Sequence, residues 1–283
     1  MNALEIKNLT KTFPGFTLDN LNLTLPSGCV MGLIGENGAG KSTTIRLILD
    51  MLHSDSGTVT ILGRDNRENI RLTKEEVGVV LDEVGLPECL STRQVGKVMA
   101  GTFRSWNQGE YDRILKQFNL PENKPFKTFS RGMKMKLGIA IAMSHNAKLL
   151  LLDEPTGGLD PVVRDEVVEM FSDFTRDESH SILISSHIVS DLEKLCDYIA
   201  FLHQGRLLFC EEKDRLLEEY GIFSDTTAQT ECLLPEAIVA REPNGYGGVR
   251  ALVRRELAPV GWQLEPASVE DIILFLVKGA KQA

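Results

Sequence analysis

CVMGLIGENGAGKS, at residues 29–42, is the stretch of sequence that decides the fold class. Residues 29–34 form a continuous apolar run, which is typical of a strand buried on both faces of a sheet. Residues 35–42 match the phosphate-binding pattern G-x-x-x-x-G-K-[ST], which lies between such a strand and a helix. The helix is predicted over residues 42–52. Strand, glycine-rich turn and helix in this order predict an α/β domain that binds phosphate groups.

The residue types in this loop suit a nucleoside triphosphate with its magnesium ion. The glycines let the backbone fold tightly, so that N–H groups and the helix N-terminus converge on phosphate oxygens. Lys41 is expected to reach the β- and γ-phosphates, and the Ser42 hydroxyl to ligate Mg²⁺. A glycine-rich turn without a ligand is the alternative, and chance gives such a pattern in about one chain in a hundred of this length. The predicted nucleotide-binding residues here are Gly35, Asn37, Gly38, Ala39, Gly40, Lys41, Ser42 and Thr43.

A second apolar strand, within the segment KLLLLDEP at residues 148–155, ends in two adjacent carboxylates. Asp153 is expected to hold the Mg²⁺ shell, and Glu154 to face the attacking water as general base. Adjacent acids at a strand end also occur in solvated turns. The phosphate-binding loop upstream favours the catalytic interpretation.

The remaining pattern predicts two domains. Residues 4–25 alternate apolar runs with turn residues, as antiparallel strands do, and residues 83–146 have helical periodicity broken by prolines. We therefore predict a phosphate-binding domain at residues 1–221, with a helical insert at about 83–146. A small C-terminal α+β domain is predicted at 222–283.

The last helix of the C-terminal domain has a predicted start and a predicted apolar face. Ser268 and Asp271 fit a capping box, in which each residue satisfies a backbone N–H of the other. The apolar face is interpreted as core, and a dimer contact is the alternative. This face consists of Val269, Ile272, Ile273 and Leu276.

Composition limits the partners and the compartment. A formal net charge of −9 and a pI near 5.2 argue against nucleic acid, whose phosphates favour basic surfaces. The five cysteines include no close pair suited to a metal or redox site. The longest apolar runs are far shorter than the roughly 20 residues that span a bilayer, and no signal-peptide pattern is visible. A cytoplasmic chain is therefore expected.

Four further motifs follow the phosphate-binding loop: FSRGM at residues 129–133, LLLLDEP at 149–155, GGLD at 157–160 and SSH at 185–187. In this order they make the chain resemble the ATP-binding-cassette (ABC) ATPases over about residues 4–219. The resemblance implies a P-loop NTPase fold, with a RecA-like core, an antiparallel β subdomain and a helical insert. It also implies ATP hydrolysis with Mg²⁺ at two composite sites of a head-to-tail dimer.

The resemblance assigns roles to residues outside the loop. Phe13 is expected to stack on adenine, and Ser130 and Gly132 to touch the γ-phosphate bound by the other subunit. Asp160 is expected to couple the two sites, and His187 to bond the γ-phosphate and orient the general base. Without the resemblance each has another reading: core packing for the aromatic ring, a helix cap for the serine, a polar strand end for the histidine.

The sequence departs from the family pattern at two motifs. Asp82 stands where glutamine is usual, and Arg131, within a degenerate signature, where glycine is usual. Aspartate only accepts hydrogen bonds, and a negative charge about 5 Å from a phosphate oxygen costs about 3 kcal/mol at a dielectric near 20. Asp82 is therefore predicted to be a metal-side ligand.

These departures, with the Trp106-Asn107 pair and the short C-terminal domain, resemble the bacterial type-2 exporter ATPases of bacitracin-resistance and acetoin-utilisation operons. The resemblance implies a homodimer, or a dimer with a paralogous ATPase, on the inner face of the cell membrane. Separate integral membrane permease subunits are the implied partners. An importer subunit is the nearest rival, and a soluble ABC ATPase acting on a macromolecular machine is the alternative from another class.

Overall fold

The computed structural model describes residues 1–68, 70–225, 235–244, 248–259 and 262–280. A six-stranded sheet lies at its centre. In spatial order its strands are Arg206–Glu212 (β10), Tyr198–His203 (β9), Val30–Ile34 (β3), Ser181–Ser186 (β8), Leu149–Asp153 (β7) and Val77–Val80 (β6). The ladders from β9 to β6 are parallel, and β10 is antiparallel to β9. Parallel strands that are buried on both faces need helices on each side, which confirms the predicted α/β class.

An antiparallel sheet precedes and flanks the central one. Its strands in spatial order are Phe16–Pro26 (β2), Asn2–Phe13 (β1), Ser56–Ile61 (β4) and Arg64–Asp65 (β5). Its buried leucines and isoleucines join residues of β3 and β7 in one hydrophobic cluster. The antiparallel layer is therefore packed against the parallel sheet and not separate from it.

The described helices lie between these strands. They are Lys41–Ile48 (α1), Ile70–Glu75 (α2), Thr92–Thr102 (α3), Gln108–Gln117 (α4), Arg131–Met143 (α5), Pro161–Phe174 (α6), Val189–Leu195 (α7), Lys213–Glu219 (α8) and Val269–Ala280 (α9). The helices α3, α4 and α5 fall within the segment predicted as a helical insert. The first helix is shorter than predicted, because the chain turns after Leu49 and Asp50 adopts a left-handed φ of 52°.

A third sheet forms the C-terminal part of the chain. Its strands in spatial order are Ile238–Pro243 (β12), Val249–Arg254 (β13), Tyr220–Asp225 (β11) and Glu265–Pro266 (β14). It begins inside the range predicted for the first domain, and the division into two domains stays a prediction.

The helix α9 packs on this sheet and reaches the core of the central sheet. The capping box is confirmed: the Ser268 hydroxyl accepts from Asp271 N at 3.1 Å, and the Asp271 carboxylate accepts from Ser268 N at 3.3 Å. Val269 and Ile272 are completely buried, and Val269 packs in the main core cluster beside residues of α7. The interpretation of this face as core is therefore confirmed.

An ion-pair cluster joins the start of β6 to the start of β7. The Glu76 carboxylate accepts from Lys148 and from Arg64, and Lys148 N also donates to the Glu76 carbonyl at 2.8 Å. The Lys148 ammonium, with help from the Arg64 guanidinium, holds the pKa of the Glu76 carboxyl below its usual value. A carboxyl whose pKa is lower in the folded state stabilises the fold above its unfolded pKa.

We expect Glu76→Gln to lower the melting temperature by about 1–3 °C at pH 7, because partly exposed ion pairs contribute modestly. The difference from wild type should shrink as the pH falls below about 4.5 and through the lower folded pKa. Thermal unfolding from pH 7 to pH 4 measures it. Asp165→Asn, which breaks an exposed pair with Lys194, is the control and should have a smaller effect. A constant difference across this range would contradict the assignment.

Candidate active site

The phosphate-binding loop joins β3 to α1 in a conformation that requires glycine. Gly38 and Gly40 have left-handed φ values of 84° and 113°. A Cβ added at Gly35 would lie 2.5 Å from the Leu202 carbonyl oxygen. Ala39 N donates to the Glu36 carbonyl at 3.0 Å, which closes the turn. The loop thus presents backbone N–H groups and the start of a helix to one point, as anion sites do.

Lys41 supplies a buried positive charge at that point. Its side chain is 7% exposed, and its ammonium donates to the Gly35 carbonyl at 2.7 Å. The Glu154 carboxylate lies 3.6 Å away. An ammonium has three protons to donate and is costly to bury without anionic partners. This arrangement fits a phosphate oxygen as a further partner.

Glu154 is held between a lysine and a histidine. Its Oε2 atom lies 2.6 Å from His187 Nδ1, and its backbone N donates to the Ser185 carbonyl at 3.1 Å. Glu154 has a left-handed φ of 52°, which is uncommon for a residue with a side chain and clusters at functional sites. The carboxylate is 15% exposed, whereas the imidazole is 58% exposed. This is a suitable position for a general base that faces an open cavity.

Asp153 is buried behind the loop at the end of β7. It is 2% exposed, and its carboxylate accepts from the Ser185 hydroxyl at 2.6 Å. Within the described ranges, no cluster of three His, Cys, Asp or Glu side chains forms a ready metal cage. Mg²⁺ usually takes one or two carboxylates and fills its shell with phosphates and water. The Ser42 hydroxyl and the Asp153 carboxylate are therefore donors of the right kind for a magnesium ion that arrives with a nucleotide.

An open cavity of about 870 Å³ brings most of the predicted residues together. The predicted residues that line it are Asn37, Gly38, Gly40, Lys41, Ser42, Thr43, Asp82, Glu154 and His187. The predicted residues outside its lining are Phe13, Gly35, Ala39, Ser130, Gly132, Asp153 and Asp160. The residues predicted to bind phosphate through their side chains and the predicted general base thus share one cavity. The residues assigned to the other subunit's site lie outside it.

The aromatic side chain in the cavity wall is Phe16, which sequence reasoning missed. Phe13, the predicted adenine contact, is partly buried, and its ring centroid lies 6.3 Å from that of Phe16. Phe16 is the first residue of β2 and follows the Pro14-Gly15 turn. This turn was the sequence signal that could have indicated Phe16 as a residue of the site. The adenine contact of Phe13 stays a prediction.

Ser130 and Asp160 are the N-caps of two helices. The Ser130 hydroxyl accepts from Met133 N at 3.2 Å, and the Asp160 carboxylate accepts from Val163 N at 3.1 Å. Both residues are exposed. The helix-cap reading of Ser130 is therefore confirmed, and its contact with a phosphate of another subunit stays a prediction.

Asp82 lies beside an arginine that sequence reasoning did not assign to the site. The Arg131 guanidinium donates to the Asp82 carboxylate, and both side chains line the cavity. The metal-side role predicted for Asp82 is not tested by this contact and stays a prediction.

Comparison with known proteins assigns the family. Residues 18–157 match the family model described as ABC transporter. A lantibiotic transport ATP-binding protein of Streptococcus pyogenes is 38% identical over 75% of this chain and 91% of its own length. This chain belongs to the ABC transporter family. A bacitracin transport ATP-binding protein of Enterococcus faecalis is 34% identical over 73% of this chain and 68% of its own length.

Solved structures agree with this family assignment. The ATP-binding subunit of an ABC transporter is 28% identical, has a TM-score of 0.69, and is matched over 76% of this chain and 91% of its own. A dimeric ABC cassette bound to ADP and phosphate has a TM-score of 0.67 at 20% identity, over 74% of this chain and 98% of its own, and supports the fold alone. Membership of the ABC transporter family makes this chain an ATPase, and the predicted P-loop NTPase fold is confirmed. Among the described residues no helix has the length and apolarity needed to span a bilayer.

Proposed function

We propose that this ABC ATPase powers export through separate membrane subunits, as a dimer with two composite ATP sites. The observation that carries the proposal is the convergence of Lys41, Glu154 and His187 on one open cavity beside the phosphate-binding loop. A role in transport is supported by the relatives, which are named for lantibiotic and bacitracin transport; export is the direction that we infer. The corresponding location is the inner face of the cell membrane, at the surface of the permease.

ATP binding in this proposal rests on the loop and on the buried lysine. The backbone N–H groups around Gly38 and Gly40 and the positive end of α1 surround the β- and γ-phosphates. Lys41 then exchanges part of its contact with the Gly35 carbonyl for a phosphate oxygen. The Ser42 hydroxyl and the Asp153 carboxylate would hold Mg²⁺, with Asp82 on the metal side. When bound, the ion would offset the negative charge of the phosphates.

Hydrolysis requires a base at the open side of the cavity. Glu154 accepts a proton from the water that attacks the γ-phosphate in line with the departing ADP. His187, 2.6 Å from this carboxylate, fixes its orientation and can donate to the γ-phosphate. Lys41 neutralises the charge that develops on the phosphate oxygens. Glu154 and His187 are already held by a hydrogen bond to each other, so little reorganisation of these two side chains accompanies the chemical step.

The second half of each site comes from another ATPase subunit in this proposal. Ser130, Gly132 and Asp160 lie outside the cavity of their own chain, and the serine and the aspartate are exposed. The N-terminus of α5 carries a partial positive charge that suits the γ-phosphate of a partner's ATP. Two chains packed head to tail would complete two sites.

Purification of the tagged full-length protein from its native membrane in mild detergent tests the proposed function. We expect a multispanning membrane protein to copurify and to stimulate ATP hydrolysis by the chain. A tagged Lys41→Ala variant is the control, because it should retain the partner but show no stimulated hydrolysis. Copurification of a soluble assembly without any membrane protein would contradict the transporter assignment and favour a macromolecular machine.

A further inference from the structure

The structure joins the end of β6 to the start of α5 by an ion pair inside the nucleotide cavity. Asp82 and Arg131 are 49 residues apart in sequence, and the guanidinium of Arg131 donates to the Asp82 carboxylate. Their side chains are 47% and 63% exposed. Both line the same cavity as the phosphate-binding loop. The ion pair between these distant segments therefore lies in the site where Mg·ATP is proposed to bind.

Arg131 also lies against the loop that follows Glu154. A Cβ added at Gly158 would lie 3.7 Å from Arg131 Cδ, and one added at Gly157 would lie 4.0 Å from a guanidinium nitrogen. The Arg131 side chain therefore runs alongside Gly157 and Gly158. Arg131 is held between the general-base loop on one side and the Asp82 carboxylate on the other.

The two residues place opposite charges at the wall of the proposed nucleotide site. An aspartate alone would place an uncompensated negative charge near the triphosphate. A neighbouring arginine compensates that charge while the site holds no metal ion.

We propose that Arg131 is a positioning residue that holds the Asp82 carboxylate until Mg·ATP binds, when Asp82 exchanges Arg131 for Mg²⁺. This inference rests on the proposed metal-side role of Asp82. Arg131 thereby sets the Mg²⁺ concentration that nucleotide binding requires. The exposed ion pair is weak enough to open reversibly, and its effect corresponds to about a two- to fivefold change in that concentration.

The experiment measures nucleotide binding without turnover. In the full-length Glu154→Gln protein, binding of a fluorescent ATP analogue is titrated with Mg²⁺ at low ionic strength. Arg131→Gln should lower the half-saturating Mg²⁺ concentration about two- to fivefold relative to the parental Glu154→Gln protein. Arg131→Lys, made separately in the same parental protein, should keep the parental value. Arg113→Gln, which breaks an exposed pair with Glu110 on α4 outside this cavity, is the matched control and should change nothing.

A double-mutant cycle separates this role from a direct electrostatic effect of the Arg131 charge on Mg²⁺ binding. In an Asp82→Asn background, Arg131→Gln should no longer lower the Mg²⁺ requirement. An Mg²⁺ requirement that is unchanged or raised by Arg131→Gln would overturn the positioning role, as would an equal shift with and without Asp82. A parental protein that binds no nucleotide at all would overturn the proposed function as well, so the two failures are distinguishable.

Discussion

Replacement of Glu154 by glutamine is expected to abolish almost all ATP hydrolysis while preserving ATP binding. The amide has nearly the shape of the carboxylate and can still accept a hydrogen bond from the His187 backbone N–H. It cannot accept the proton of the attacking water. General-base catalysis contributes about 10²- to 10⁴-fold, so the rate of phosphate release should fall by that factor.

The measurement compares phosphate release and equilibrium ATP binding for wild type and Glu154→Gln. Glu169→Gln is the control, because Glu169 is exposed on α6 and does not line the cavity. We expect the control to hydrolyse ATP at the wild-type rate. Normal hydrolysis by Glu154→Gln would remove this residue from the role of base, and loss of both binding and hydrolysis would show a structural defect instead.

The α/β fold and the phosphate site could be predicted because their signals are local. The buried strand at β3, the glycine-rich turn and Lys41 are consecutive in sequence, and backbone conformation there follows from glycine. The capping box at Ser268 is equally local, since both partners lie within one helical turn. Such features need no knowledge of distant contacts.

The features that sequence reasoning missed depend on contacts between distant segments. The partner of Asp82 is Arg131, and only the packing of α5 beside the end of β6 brings the two together. Phe16 enters the cavity wall because β2 lies beside the phosphate-binding loop, where its ring would be 3.1 Å from a Cβ at Gly40. Periodicity within one segment carries no information about such neighbours.

Helix ends were also less predictable than the strands. The apolar pattern after Lys41 continues past residue 48, whereas the helix ends there because the following residues turn. The burial of Leu49, which follows the last residue of α1, shows that an apolar residue beyond a helix can still face the core. Hydrophobic pattern alone therefore overestimated the length of α1.

The composite-site proposal leads to a second prediction of large effect. Two variants that are inactive alone are expected to hydrolyse ATP when they are mixed. Glu154→Gln damages the base of a chain's own site, and Ser130→Asp should damage only the site of its partner. Aspartate is a good N-cap and preserves the start of α5, but it places a negative charge toward the partner's γ-phosphate. Each variant alone should hydrolyse ATP at least about 100-fold more slowly than wild type.

Phosphate release from an equal mixture of Glu154→Gln and Ser130→Asp chains therefore tests the composite-site account most directly. A mixed dimer contains one site with an intact base and an intact Ser130. Random pairing makes half of the dimers mixed, so the mixture should recover about a quarter of the wild-type rate. Recovery of that size would support two sites shared between chains, and a mixture no more active than its separate components would contradict the account.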